Sequence, residues 1–188
     1  MSNSTRLMMM GAAGASADKI YVDDVFSTFL YDGTGSTQSI NNGIDLSGKG
    51  GAVILKKRST GAGTIWTDTA RGANKHLRSD NSNQEYTETN ILTAFNSNGF
   101  SIGNEGDVNA SGQTYASWTF RKAPGFFDVV TYTGNQTART ISHSLGSVPG
   151  MIIIKCTSDG SYWRVYHRST GATKALELNS TSVANNET

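Results

Sequence analysis

Apolar and polar positions alternate along much of this chain with a period of two. In residues 115–121, Ala116, Trp118 and Phe120 form the apolar side, and Tyr115, Ser117, Thr119 and Arg121 the other. That pattern marks a half-buried strand, with Trp118, like Trp66, expected in the core. Further strands are expected at 25–31, 52–57, 64–67, 99–102, 127–133, 151–156 and 162–167, while 91–95 reads equally as strand or helical turn. Turn formers separate them: Asp32-Gly33, Asn41-Asn42-Gly43, Asn98-Gly99, Thr133-Gly134 and Asp159-Gly160. Short strands at this spacing, with no long amphipathic segment, predict an all-β fold of the β-sandwich or jelly-roll kind.

The chain also repeats itself. Leu30-Tyr31-Asp32-Gly33 returns as Thr131-Tyr132-Thr133-Gly134, and Ser39-Ile40 as Thr140-Ile141. Gly51-Ala52-Val53-Ile54-Leu55-Lys56 returns as Gly150-Met151-Ile152-Ile153-Ile154-Lys155, and Gly72-Ala73-Asn74-Lys75-His76-Leu77 as Gly171-Ala172-Thr173-Lys174-Ala175-Leu176. The offset is 101 at first and then 99, and an offset held across separate motifs points to duplication. The expected organisation is a segment 1–20, a sandwich at 21–125 and a partial second copy at 126–188. Counterparts of 99–102 and 115–121 are missing from the second copy. It is therefore expected to present open sheet edges, completed by further sequence or by a neighbouring chain.

Composition agrees with strands rather than helices. Charged residues make up 16%, and 21 glycines accompany many Ser, Thr and Asn. Sixteen Lys plus Arg against 15 Asp plus Glu give a net charge of +1. The densest basic cluster is only Lys56, Lys57 and Arg58, which argues against nucleic-acid binding. The single cysteine, Cys156, excludes an intrachain disulfide framework and is expected as a small buried hydrophobe. No run approaches the roughly 18 apolar residues needed to span a bilayer.

The opening TRLMMMGAAGASA is too diluted by Ala and Gly for a strong signal-peptide core, although Ala15-Ser16-Ala17 has the small-x-small form. Arg6, Leu7, Met8, Met9 and Met10 are instead the expected partner-docking residues, since flexible methionines fill irregular pockets.

Nothing in the chain spells out reactive chemistry. His76, His143 and His167 lack ligand spacing to one another or to Cys156, and each is expected to be structural or on the surface. Asp23 and Asp24 are neighbours whose side chains diverge, and Glu85 and Glu88 fall in an expected solvated loop, so no carboxylate pair suits glycoside hydrolysis. The glycine-rich stretches at 33–35 and 48–51 lack phosphate-loop spacing, and no serine sits in a GxSxG elbow. No catalytic residue, metal or cofactor is expected. Tyr162, Trp163 and Tyr166, beside Arg164, could form a sugar-stacking face; the competing expectation turns Trp163 and Val165 into the core.

The stretches YVDDVFSTFLYDGTG (21–35), LTAFNSNGFSIG (92–103), YASWTFRKAPGFF (115–127) and FFDVVTYTGNQTARTISHSLGSVPGMIIIKCTSDGSYWRVYHRSTGA (126–172) resemble a recurrent module of phage tail proteins, common in phages of cyanobacteria and other marine bacteria. The resemblance implies lectin-like β-sandwich repeats within a long fibre, homotrimeric assembly, and an N-terminal segment that plugs into tail nozzle, adaptor or baseplate proteins. More distal regions would meet a host glycan or receptor. It places the protein in the virion tail, assembled in the host cytoplasm, and carries over no catalytic residue. A capsid decoration protein and a glycan-binding lectin module are the alternatives.

Overall fold

The computed structural model describes residues 19–186, so the docking residues Arg6, Leu7, Met8, Met9 and Met10 lie outside the described part. The chain opens with a single helical turn, α1 (Val22–Val25), closed by Asp24, whose carboxylate accepts the Tyr21 backbone N–H at 3.2 Å. Strands β1 (Phe26–Asp32), β2 (Gln38–Asn41), β3 (Gly51–Lys57), β4 (Thr64–Asp68), β5 (Lys75–Arg78), β6 (Tyr86–Thr87), β7 (Leu92–Asn96) and β8 (Gly99–Ile102) follow. A second turn, α2 (Gly106–Asn109), leads into β9 (Thr114–Arg121), and then come β10 (Met151–Ile154), β11 (Arg164–His167), β12 (Lys174–Glu177) and β13 (Asn185–Asn186). The stretch open to two readings, 91–95, is a strand. It turns into β8 at Asn98-Gly99, where Gly99 holds φ at 133° and a side chain would strike the Ile40 carbonyl.

The molecule is an all-β sandwich of antiparallel sheets. A six-stranded sheet of order β1-β9-β3-β4-β5-β6 faces a three-stranded sheet of order β2-β8-β7. Tyr31, Val53, Leu55, Ile65 and Tyr115 from the first meet Ile40, Leu92, Phe100 and Ile102 from the second, with Ile44, Leu46, Ile91 and Val108 sealing the rim. Each such fully buried side chain stabilises the fold by roughly 1.5–3 kcal/mol relative to exposure.

The inward face of β9 is the reverse of the one its apolar pattern marks. Tyr115, Ser117 and Thr119 are fully buried toward the second sheet, while Trp118 and Phe120 are half-buried on the far side. Tyr115 stacks on Tyr31 with centroids 5.1 Å apart and donates its hydroxyl to the Gly106 carbonyl at 2.9 Å. Thr119 accepts the Asn42 side-chain amide at 2.8 Å. Small hydroxyl residues suit the crowded inner side of a central strand when their polar atoms find partners. The far side is covered as well, since Phe120 packs 4.9 Å from Phe26 and 5.3 Å from Phe127.

A third sheet, of order β10-β11-β12-β13, matches β3-β4-β5-β6 pair for pair, 99 residues further on. Ala52 opposes Asp68, and Met151 opposes His167. Ile65 opposes Arg78, and Arg164 opposes Glu177. His76 opposes Tyr86, and Ala175 opposes Asn185. Outside the strands, the Thr69 N–H donates to the Gly51 carbonyl at 2.9 Å, and the Arg168 N–H to the Gly150 carbonyl at 2.9 Å. Gly72 and Gly171 hold the same left-handed turn, at φ 94° and 82°.

Residues 127–133, expected as a strand, form none, and Val130 and Tyr132 stand in solvent. The reason lies in sheet order. Their counterpart β1 has β9 as its neighbour in the sheet, and no described strand takes β9's place in the third sheet. A strand with no ladder partner does not form, whatever its propensity.

Candidate binding surface

The third sheet offers the most open apolar surface. Met151, Ile152 and Ile154 of β10 are all exposed, and β10 is an edge strand on one side. Beyond the strand, the 155–161 loop is pinned by Lys155, whose ammonium donates to the Cys156 and Asp159 carbonyls at 2.6 and 3.1 Å. Ile154, Cys156, Gly160, Ser161, Tyr162 and Arg164 line a shallow hollow at this end of the sheet. Cys156 is half-buried there rather than a core residue, with its sulfur 3.4 Å from the Ser158 hydroxyl.

The sugar-stacking group does not assemble. Trp163 is 3% exposed, its ring 5.3 Å from Trp66 and its indole N–H donating to the Arg78 carbonyl at 3.1 Å. Trp66 is correspondingly half-buried under Trp163 rather than in the sandwich core. Tyr162 stays exposed, with the Arg164 guanidinium 6.0 Å from its ring centre. Tyr166 is half-buried, and the strand's alternation puts it on the opposite side from Trp163 and Val165. An aromatic platform needs coplanar exposed rings, and here burial removes the largest of them.

The titratable groups read as scaffold. Asp68 and Arg71 form a nearly buried pair at 2.6 Å, extended by Glu85 at 3.1 Å from Arg71 and by Lys75 at 3.2 Å from Glu85. Glu85 is therefore held in an ionic network, not in a solvated loop, because the Arg71 guanidinium needs a second carboxylate once removed from water. Arg78 reaches Asp107 at 2.7 Å, tying β5 to α2.

His76 is buried in β5 and stacked on Tyr86, with centroids 5.1 Å apart. Its Nδ1 has no hydrogen-bond partner among the described residues. Burial, reinforced by the Arg78 and Arg71 charges, pushes its pKa down to about 4, so the ring is neutral at physiological pH. His143 and His167 each accept a backbone N–H two residues on, through Nδ1 at 3.2 Å, as turn residues do. Among the described residues, no group of three or more His, Cys, Asp or Glu side chains is placed to hold a metal ion. No helix among them is long and apolar enough to cross a membrane.

The 99-residue repeat is legible in the sequence, but the exposure of the apolar residues along β10 is not. Ile152 and Ile154 could have been found by carrying the burial expected of Val53 and Leu55 forward by 99 positions. These features define an all-β sandwich protein in which, among the described residues, the apolar edge strand β10 has no neighbour on one side. The chain belongs to the family described as a domain of unknown function, DUF7483, whose model matches residues 22–188 and so takes in all three sheets. No curated protein and no solved structure matches the chain.

Proposed function

We propose that the chain is a phage virion structural protein, the N-terminal part of a tail fibre that attaches the fibre to the tail and supports host adsorption. The observation that carries this reading is the tandem arrangement of sheets in identical register, a modular build suited to a fibre that grows by repetition. The resemblance of the motifs in 21–35, 92–103, 115–127 and 126–172 to phage tail modules supports it. Residues 1–20 serve as the anchor, residues 21–125 as the proximal rigid domain, and residues from 126 onward as the start of the shaft. Assembly is homotrimeric, and the protein acts by shape and attachment rather than by reaction.

The test is immunogold labelling of purified particles carrying this polypeptide, with antibodies raised against residues 21–125. Gold confined to the tail is expected. Gold spread over the head would replace this reading with that of a capsid decoration protein. Sedimentation equilibrium of the full chain adds a second measurement, with three chains per particle expected.

A further inference from the structure

We propose that the free edge of β10 is a strand-acceptor site, taking one extended segment of β9's chemistry, antiparallel, in the register β9 holds against β3. The inference goes beyond the fibre reading and does not rest on it. It needs only the repeated register.

The first copy shows what belongs at this edge. There β3 lies between β4 and β9, and β9 pairs with it from Gly51 opposite Arg121 to Lys57 opposite Tyr115. In the third sheet β10 pairs with β11 in the register of β3 with β4, yet among the described residues no strand lies on its other side. The side chains differ too, partly because the β2-β8-β7 sheet covers Val53 and Leu55 and no described strands face the third sheet in the same way. Val53 and Leu55 are 0% and 1% exposed, whereas Ile152 and Ile154, 99 residues later, are 40% and 45% exposed. Ala52 is buried and its counterpart Met151 is 51% exposed. A run of four apolar residues on an unpaired edge is a surface that folded proteins normally cover.

The register also specifies the occupant. Against β3, Thr119 and Ser117 lie opposite Val53 and Leu55, while Phe120 and Trp118 lie opposite Ala52 and Ile54. Transferred by 99 residues, the incoming strand sets small hydroxyl residues opposite Ile152 and Ile154. It sets large aromatic residues opposite Met151 and Ile153. Main-chain hydrogen bonds supply affinity and the alternating side chains supply selectivity, as in strand addition generally. A second copy of this chain does not supply the strand, because its own β9 is laddered on both edges, to β1 and to β3. The donor is a further polypeptide segment with this alternation.

The experiment titrates the full chain with a synthetic peptide of residues 112–123 and follows amide hydrogen exchange. Saturable binding at one peptide per chain is expected, with exchange at 150–156 slowed by at least about tenfold and the rest of the chain unchanged. A peptide with lysine in place of Ser117 and Thr119 should not bind. A second arm needs no separate peptide: a copy of residues 90–125, the stretch that follows position 89 in the first copy, is appended after Thr188. Slowed exchange at 150–156 in this longer chain is the expected result. The proposal is overturned if exchange at 150–156 is unaffected in both arms. It is equally overturned if that stretch of the unmodified chain is already as protected as 51–57 and loses protection on dilution, which would make the edge an interface between copies.

Discussion

The indole rings of Trp66 and Trp163 stand 5.3 Å apart at a tilt of 51°, and the Trp163 N–H ends on the Arg78 carbonyl at 3.1 Å. One ring belongs to β4, and the other stands just ahead of β11, so the pair joins the third sheet to the six-stranded one. A backbone bond from the Glu85 N–H to the Thr157 carbonyl, at 2.9 Å, lies between the same two parts. Replacing Trp163 with alanine should cost about 3 kcal/mol at this joint. Trp163→Phe keeps much of the contact but leaves the Arg78 carbonyl unpaired, for about 1 kcal/mol. Chemical denaturation with separate probes in each part should show the third sheet unfolding first in Trp163→Ala.

Asn109 is fully buried and uses both ends of its amide. Its oxygen accepts from the Thr34 N–H at 2.9 Å and the Gln38 amide at 2.7 Å, while its nitrogen donates to the Ser36 and Gly103 carbonyls, each at 2.6 Å. Asn109→Ala should destabilise by about 2 kcal/mol through the four groups left unpaired. Asn109→Asp should also destabilise at neutral pH, because a carboxylate would face two carbonyls. That variant should recover as pH falls and the acid protonates, which a melting series across pH would display.

The Asp68–Arg71–Glu85 network is shielded enough for its loss to be felt. Arg71→Ala leaves two carboxylates without their guanidinium and should cost about 3 kcal/mol, whereas Lys75→Ala, at the exposed end, should cost under about 1 kcal/mol. A large effect of Lys75→Ala combined with a small one of Arg71→Ala would show that the network is not the buried element the geometry makes it.

His76 carries a definite pH signature. Its pKa in the folded chain is lowered to about 4 from an ordinary 6.5, so the unfolded chain binds the proton first as pH falls. Stability is therefore flat above about pH 6.5, falls below it, and levels off near pH 4, with about 2 kcal/mol lost between pH 7 and pH 5. His76→Phe should remove this component, and denaturant midpoints at the two pH values would measure it.

Much of the fold was legible from local pattern. Residues 52–57, 64–67 and 99–102 are short apolar-rich segments set off by turn formers, and they are strands. Less of the candidate surface was legible. Tyr162, Trp163 and Tyr166 lie within five positions, and nothing in that spacing says that one ring is sealed beneath Trp66 while another stands in solvent. Cys156 and Glu85 were misplaced for the same reason, since each environment is built by residues remote in the chain.

What the chain's own pattern decided is the strand character of its segments, the turns between them and the offset at which they return, because all three depend on residues within a few positions or on simple repetition. Tertiary structure alone decided which side of β9 faces inward and that residues 127–133 form no strand. It also decided that Ile152 and Ile154 stay uncovered where Val53 and Leu55 are sealed. The physical reason is that a strand acquires its hydrogen bonds and its buried face from neighbours far away in sequence. Two segments of the same pattern therefore end differently when only one has β9 beside it and the β2-β8-β7 sheet across from it.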